Sequence, residues 1–133
     1  MANQLYPKGK ENFLSGNIDM LSDTITIALV DTASYTFDNT HVSFANVSPS
    51  AVVANTQLAS KSVGNGVFDA ADAIFNNVTG NQSEALILFK DTGTNSTSLL
   101  IAYIDSATGL PVTPSGGDIT VTFSDATTKI FSL

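Results

Sequence analysis

The longest apolar runs in this chain do not alternate with polar residues, and that failure of alternation organises the rest. Glu84 to Asp105 reads Glu-Ala-Leu-Ile-Leu-Phe-Lys, then Asp-Thr-Gly-Thr-Asn-Ser-Thr, then Ser-Leu-Leu-Ile-Ala-Tyr-Ile-Asp. Two apolar runs, Ala85–Phe89 and Leu99–Ile104, flank an insert of turn formers. Runs this short suit strands rather than helices, and Asp, Gly and Asn tolerate the backbone geometry of turns. The stretch predicts a β-hairpin. A strand with one wet face alternates apolar and polar side chains. Here Leu86 and Leu88 point one way, Ile87 and Phe89 the other, and both sets are apolar. The hairpin is expected to be central and covered on both faces.

Upstream, Tyr6 to Ser15 predicts a short helix. Pro7 suits a first helical position, where its missing N–H is no loss. Phe13, Leu14, Ile18 and Leu21 recur near the helical period, and Gly16 stands where a C-terminal cap would fall. Gly9 inside the segment weakens it by about 1 kcal/mol on propensity alone. Asp23 to Asp31 alternates cleanly, with Ile25, Ile27 and Leu29 on one face and Thr24, Thr26 and Ala28 on the other. Between Thr32 and Pro49, Tyr35 and Phe37 alternate with polar neighbours and Asp38-Asn39-Thr40 signals a turn. Val42, Phe44 and Val47 predict a short edge strand there.

Val52 to Val63 predicts a strand anchored by Val53, Leu58 and Val63, ending at the turn Gly64-Asn65-Gly66. Val67–Phe75 follows as one strand, with Phe68, Ala70, Asp72 and Ile74 sharing a face. After the central hairpin, Ser106–Gly117 is a connector restricted by two prolines. Asp118–Phe123 and Lys129–Phe131 predict a last hairpin around Ser124–Thr128. Many short strands, frequent turns and one N-terminal helix predict a mainly β fold. The expected form is an antiparallel β-sandwich or jelly-roll-like barrel, one domain over residues 1–133, with 1–22 as arm and helix and 23–133 as sheet core.

Composition narrows the function. Twelve acidic residues face five basic ones, all lysine, for a net charge of −7. Phosphate contacts need clustered cations, so nucleic acid is an unsuitable partner. Lack of arginine removes the side chain best shaped for bidentate phosphate recognition. There is no cysteine for disulfides or thiolate metal sites. No run is long enough to predict a membrane helix, and the first residues lack the apolar core of a signal peptide. Synthesis in a cytoplasm is the expectation. Sequons at Asn46, Asn77, Asn81 and Asn95 then report only Asn-, Ser- and Thr-rich surface loops. Charged residues make up only 13% of the chain, so solubility rests on uncharged polar groups, a composition suited to packing beside copies of itself.

Candidate chemistry is sparse. His41 is the sole histidine, so one chain offers no two-histidine metal site or histidine-based dyad, and a structural role is the stronger reading. Asp69 and Asp72 are the closest carboxylate pair but fall on opposite faces of a strand. Asp91-x-Gly93-x-Asn95-x-Thr97 is superficially like a calcium loop, yet its sixth position is Ser96 rather than Gly and the bidentate Glu is missing; a turn is the stronger reading. Asp118 after Gly116-Gly117 is read the same way, as a turn cap. No phosphate-cradling or nucleophile-elbow motif occurs. No enzymatic activity, cofactor or metal site is expected.

Several segments resemble a family of small tailed-bacteriophage virion proteins. Tyr6-Pro7-Lys8-Gly9-Lys10-Glu11 through Phe13-Leu14 to Asp23-Thr24-Ile25 and Ala28-Leu29-Val30-Asp31 begins the likeness. Asn65-Gly66-Val67-Phe68-Asp69-Ala70, Glu84-Ala85-Leu86 and Lys90-Asp91-Thr92-Gly93 continue it. Leu100-Ile101-Ala102-Tyr103-Ile104-Asp105, Gly109-Leu110-Pro111-Val112-Thr113-Pro114 and Lys129-Ile130-Phe131 complete it. The resemblance implies a capsid decoration (cement) protein on the virion exterior, partnered with the major capsid protein and with itself. A trimer is favoured and a dimer is possible. The alternatives are a tail- or fibre-associated structural protein, or a carbohydrate-binding module using Tyr35, Phe37 and Tyr103. Expected contact residues are Ala2, Asn3, Gln4, Leu5 and Tyr6 in a mobile N-terminus, and Leu110, Pro111 and Val112 as exposed apolar anchors in the connector.

Overall fold

The chain is mainly β, and its described residues form three antiparallel sheets and one short helix. A computed structural model describes residues 4–105, 107, 109–123 and 130–132. Strands in chain order are β1 (Gln4–Leu5), β2 (Ile25–Val30), β3 (Val52–Gln57), β4 (Ser62–Gly64), β5 (Val67–Asp69), β6 (Ala73–Phe75), β7 (Ala85–Lys90), β8 (Leu99–Ile104), β9 (Ile119–Val121) and β10 (Phe131–Ser132); the helix α1 is Pro7–Leu14. The largest sheet runs β1-β8-β7-β2-β3. The others are β10-β5-β4 and β6-β9.

The hairpin of β7 and β8 forms where the pattern places it, with Leu86 opposite Ile104 and Lys90 opposite Leu99. Leu88 pairs with Ala102 and Phe89 with Leu100, so Ile101 is the extra residue of a bulge. β7 lies in the middle of its sheet, and both its faces are buried. Leu86 and Leu88 enter one core with Ile25, Ile27 and Leu29 of β2. Ala85, Ile87 and Phe89 enter a second core on the opposite face with Ala28 and Val30. The alternation expected of β2 is thus incomplete: all six of its residues are buried. Ala28 and Thr26 sit under cover because another layer is packed on that side.

The two cores are roofed differently. Over the first lie the small sheets, contributing Phe68, Phe75, Ile119 and Val121, with Phe123 and Ile130 beside their strands. Over the second lies the irregular segment from 31 to 51, with Tyr35, Phe44, Val47 and Ala51 buried. The edge strand expected at Val42–Val47 does not form. Phe44–Asn46 and Pro49–Ala51 are single 3₁₀ turns, and Ser43 alone bridges to Leu99. The Asn46 side chain accepts the Val42 and Ser43 amides, which curls the chain back and turns Phe44 inward to stack on Phe89 at 4.0 Å between ring centroids.

Turn chemistry decides several boundaries. At the end of α1 the Gly16 amide donates to the Phe13 carbonyl and the Asn17 amide to the Asn12 carbonyl, with Gly16 at φ +80°. That paired closure needs a left-handed residue, which glycine supplies without strain. The helical phase stops there. Phe13 turns inward, while Leu14 (90% exposed) and Leu21 (51%) face solvent, correcting the apolar stripe read through all four positions. Asn65 (φ +53°) and Gly66 (φ +76°) make the two-residue turn that joins β4 to β5.

Val52 to Val63, expected as one strand, is β3 and β4, which belong to different sheets. Val67–Phe75 is not one strand but β5 and β6 with a break at 70–72, where the Ala71 amide donates to the Ala59 carbonyl. The break shifts the phase, so Phe68 and Phe75 are both buried while Ile74 is 51% exposed. Among the described residues β9 pairs with β6 and β10 pairs with β5, and the turn of the expected last hairpin falls on residues 124–129, outside those described.

α1 packs so closely on β8 that a Cβ at Gly9 would fall 2.7 Å from the Leu100 carbonyl oxygen and 3.1 Å from that of Ile101. Helix propensity alone predicts that Gly9→Ala stabilises by about 1 kcal/mol. Backbone cannot step aside as a flexible side chain would, and the contact predicts the opposite sign, a loss of roughly 1–3 kcal/mol. Urea unfolding midpoints of wild type and Gly9→Ala distinguish the two.

Candidate functional site

The expected contact residues fall in three settings. Ala2 and Asn3 lie outside the described residues. Gln4 and Leu5, expected in a mobile arm, form β1 and pair with Tyr103 and Ala102 of β8. Tyr6 is wholly buried and caps α1, so its ring belongs to the core and not to a contact surface. In the connector Leu110 and Val112 are half-buried and pack against the first core, while Pro111 is exposed. Val112 is bridged to Ser83. Of the three, Pro111 is the one with a free face, because its neighbours are drawn down by the apolar layer beneath them.

Tyr6 begins a buried polar chain. Its hydroxyl lies 2.8 Å from that of Tyr35, and the Tyr35 hydroxyl lies 2.8 Å from Nδ1 of His41. Phe37 packs on Tyr6 (4.8 Å between centroids) and Tyr103 (5.5 Å). Tyr35 and Tyr103 are each only 5% exposed. In this aromatic group Tyr35 and Tyr103 are buried against their neighbours, while Phe37 is half-buried and lines a shallow surface pocket with Gln4, Asp38 and Asn39. Asp38, the residue nearest His41 with an orienting carboxylate, is committed to Thr40: one oxygen accepts both its amide and its hydroxyl, and this holds the Asp38 carboxyl below its ordinary range.

The polarity of the chain follows from burial. Among the described residues the Tyr6 hydroxyl has Tyr35 as its hydrogen-bond partner. If Tyr6 accepted, its own hydrogen would be stranded in the core; donating satisfies it. Tyr6 therefore donates to Tyr35, Tyr35 donates to His41, and Nδ1 is an unprotonated acceptor. His41 thus ends a chain of two tyrosines that links the start of α1 to the 31–51 segment.

Asp91 and Asp118, the candidate cation ligands, and Asp72 of the carboxylate pair accept hydrogen bonds from protein donors. Asp91 accepts the Gly93 amide with one oxygen and the Thr26 hydroxyl with the other. Asp118 accepts the Asn77 amide, and Asp72 accepts the Phe123 amide. These are turn and strand-end caps. Among the described residues no cluster of three or more histidine or acidic side chains is placed to hold a metal ion.

The surface feature that the pattern of the chain did not announce is an open apolar groove of about 590 Å³. One wall is the end of α1 and the segment after it, with Phe13, Ile18, Met20 and Leu21. The other is the β4–β5 hairpin, with Val63 and the Asn65-Gly66 turn, and Phe68 and Phe131 lie at the groove as well. Leu21 and Val63 (53% exposed) stand at its margins, and Leu14 projects from the adjoining helix end. Leu14 was legible in part, since it sits about 100° around the helix from Phe13. Val63 was not, because its exposure depends on which way the hairpin tilts.

No protein-family model matches this chain, and no curated protein is similar to it at a significant level.

Tyr35→Phe leaves the buried Tyr6 hydroxyl without its acceptor and is expected to lower stability by about 1–3 kcal/mol, more than Tyr6→Phe, which removes both needs together. ¹⁵N NMR should show the His41 ring in its Nε2–H tautomer, with Nδ1 unprotonated. Burial raises the Tyr6, Tyr35 and Tyr103 hydroxyls above the ordinary tyrosine value. Unfolding restores a pKa of about 10, so this stabilisation is intact below pH ~10 and lost as pH climbs through the folded values. Urea midpoints measured from neutral to strongly alkaline pH should hold and then fall, with a shallower fall in Tyr6→Phe.

Proposed function

We propose that this chain is a structural protein of a tailed-bacteriophage virion, a capsid decoration protein that holds neighbouring subunits together without turning over a substrate. The sequence likeness supports the virion setting, and the physical form suits it. A sheet buried on both faces is a stiff block. The carboxylates of Asp72, Asp91 and Asp118 are engaged in caps and turns.

One observation carries the self-association half of the reading: an apolar groove lies beside exposed Leu14, Leu21 and Val63 on a chain with few charges. Its occupant is a second copy. Leu14 protrudes while the groove is concave, and a knob and a hole on one chain make a head-to-tail contact. Such a contact closes into a ring when the rotation allows, which fits the trimer expected from the resemblance. A ring presents the same surface several times to a capsid lattice, and simultaneous contacts must all be lost for one copy to leave. Gln4, Leu5 and Pro111 remain the proposed capsid-facing positions.

Sedimentation velocity tests the association directly. Wild type is expected to be oligomeric, and Leu14→Asp with Val63→Asp monomeric. The double variant should keep wild-type thermal stability to within about 0.5 kcal/mol per site, because both side chains are exposed. A monodisperse monomer for wild type would reject the groove as a self-contact. Incubation with undecorated capsids tests the rest: stoichiometric binding to heads supports decoration, and binding confined to tails replaces it with the tail-associated reading.

A further inference from the structure

We propose that Asn65 is a site of spontaneous deamidation that places a carboxylate on the rim of the apolar groove. Asn65 is the chain's one asparagine followed by glycine. Both residues are exposed, and they form the tip of the β4–β5 turn at positive φ. The chemistry needs the Gly66 amide nitrogen to reach the Asn65 side-chain carbonyl, and Gly66 has no Cβ to obstruct it. Nitrogen bonds to Cγ and loses its proton, and the side-chain nitrogen leaves as ammonia. The product is a five-membered succinimide. Water then opens the ring: addition at the side-chain carbonyl gives aspartate, and addition at the backbone carbonyl gives isoaspartate. No oxidant or reductant is involved.

In the closed turn the backbone is held by the Gly64–Val67 pair, so ring closure proceeds from a locally opened state. Opening is easy here. β4 is three residues long, exposed throughout, and at the edge of its sheet. Edges with few buried contacts open at a small fraction of the global unfolding free energy. Other asparagines are followed by side chains that hinder attack, and Asn46 and Asn81 are further tied down by hydrogen bonds to Val42, Ser43 and Asp31.

The products differ in consequence. Aspartate keeps the turn, since Asp-Gly is as suited to it as Asn-Gly. Isoaspartate routes the backbone through an extra methylene and breaks the two-residue geometry. Both add a negative charge beside Phe13, Leu21 and Val63, and burying an unpaired carboxylate against an apolar partner is unfavourable. Ageing would thus weaken self-association. This last step rests on the groove being a self-contact; the modification does not.

The test incubates the purified full-length chain in mildly alkaline heavy-oxygen water at physiological temperature, followed by peptide mapping. The expected result is exchange of NH₂ for labelled OH at Asn65, while Asn81 and Asn95 remain intact. An unmodified Asn65 after a period that converts a free Gly64–Val67 peptide would overturn the proposal, as would conversion no faster than at Asn95. Sedimentation of aged protein and of Asn65→Asp forms the second arm. A shift toward monomer in both supports the consequence. Labelled but fully associated protein retains the modification and rejects its effect on the groove.

Discussion

Everything in this molecule answers to one demand: the sheet built on β2, β7 and β8 is apolar on both sides and must be covered twice. Ile27, Leu86, Leu88, Ile87 and Leu100 show no exposed surface. A chain of this length cannot make two more large sheets. It covers one face with small two- and three-stranded sheets and the other with an irregular loop tied in by rings and hydroxyls. The loop works as a roof because its polar backbone is satisfied locally, through the Asn46 side chain, the 3₁₀ turns and the Tyr6–Tyr35–His41 chain.

That second roof takes up most of the aromatic surface of the segment from 31 to 51. Tyr35 and Tyr103 are buried in closing the second core, and half-buried Phe37 packs against it. The same economy leaves its gap elsewhere. The small sheets over the first core do not extend to the segment following α1, and the uncovered margin is the groove beside Leu21 and Val63. A region left apolar where one roof ends is a natural place for another molecule to complete it.

Electrostatics plays a local part. The five lysines are too few to make a field, and those whose contacts are described serve as ties. Lys90 meets the Asn17 carbonyl and the Asp23 carboxylate at 2.7 and 3.4 Å, and Lys61 donates to the Asp23 carbonyl. Both fix the segment between α1 and β2, the wall of the groove. Lys8 pairs with Glu11 at the exposed start of the helix, where such a pair adds little to stability.

Local chemistry alone settled the hairpin of Ala85–Lys90 and Leu99–Ile104, the helix between Pro7 and its Gly16 cap, the Asn65-Gly66 turn and the mainly β class. Each depends on neighbours in sequence: run length, a fixed φ at proline, positive φ at glycine or asparagine. The tertiary structure decided what sits opposite what. The burial of Thr26 and Ala28, the turning outward of Ile74 and the pairing of β9 with β6 and of β10 with β5 follow from contacts far apart in the chain. So does the groove, because exposure of Leu14, Leu21 and Val63 is set by which elements fail to reach them. A sequence specifies where its backbone can bend; which of its apolar residues remain uncovered is known only once the roofs are in place.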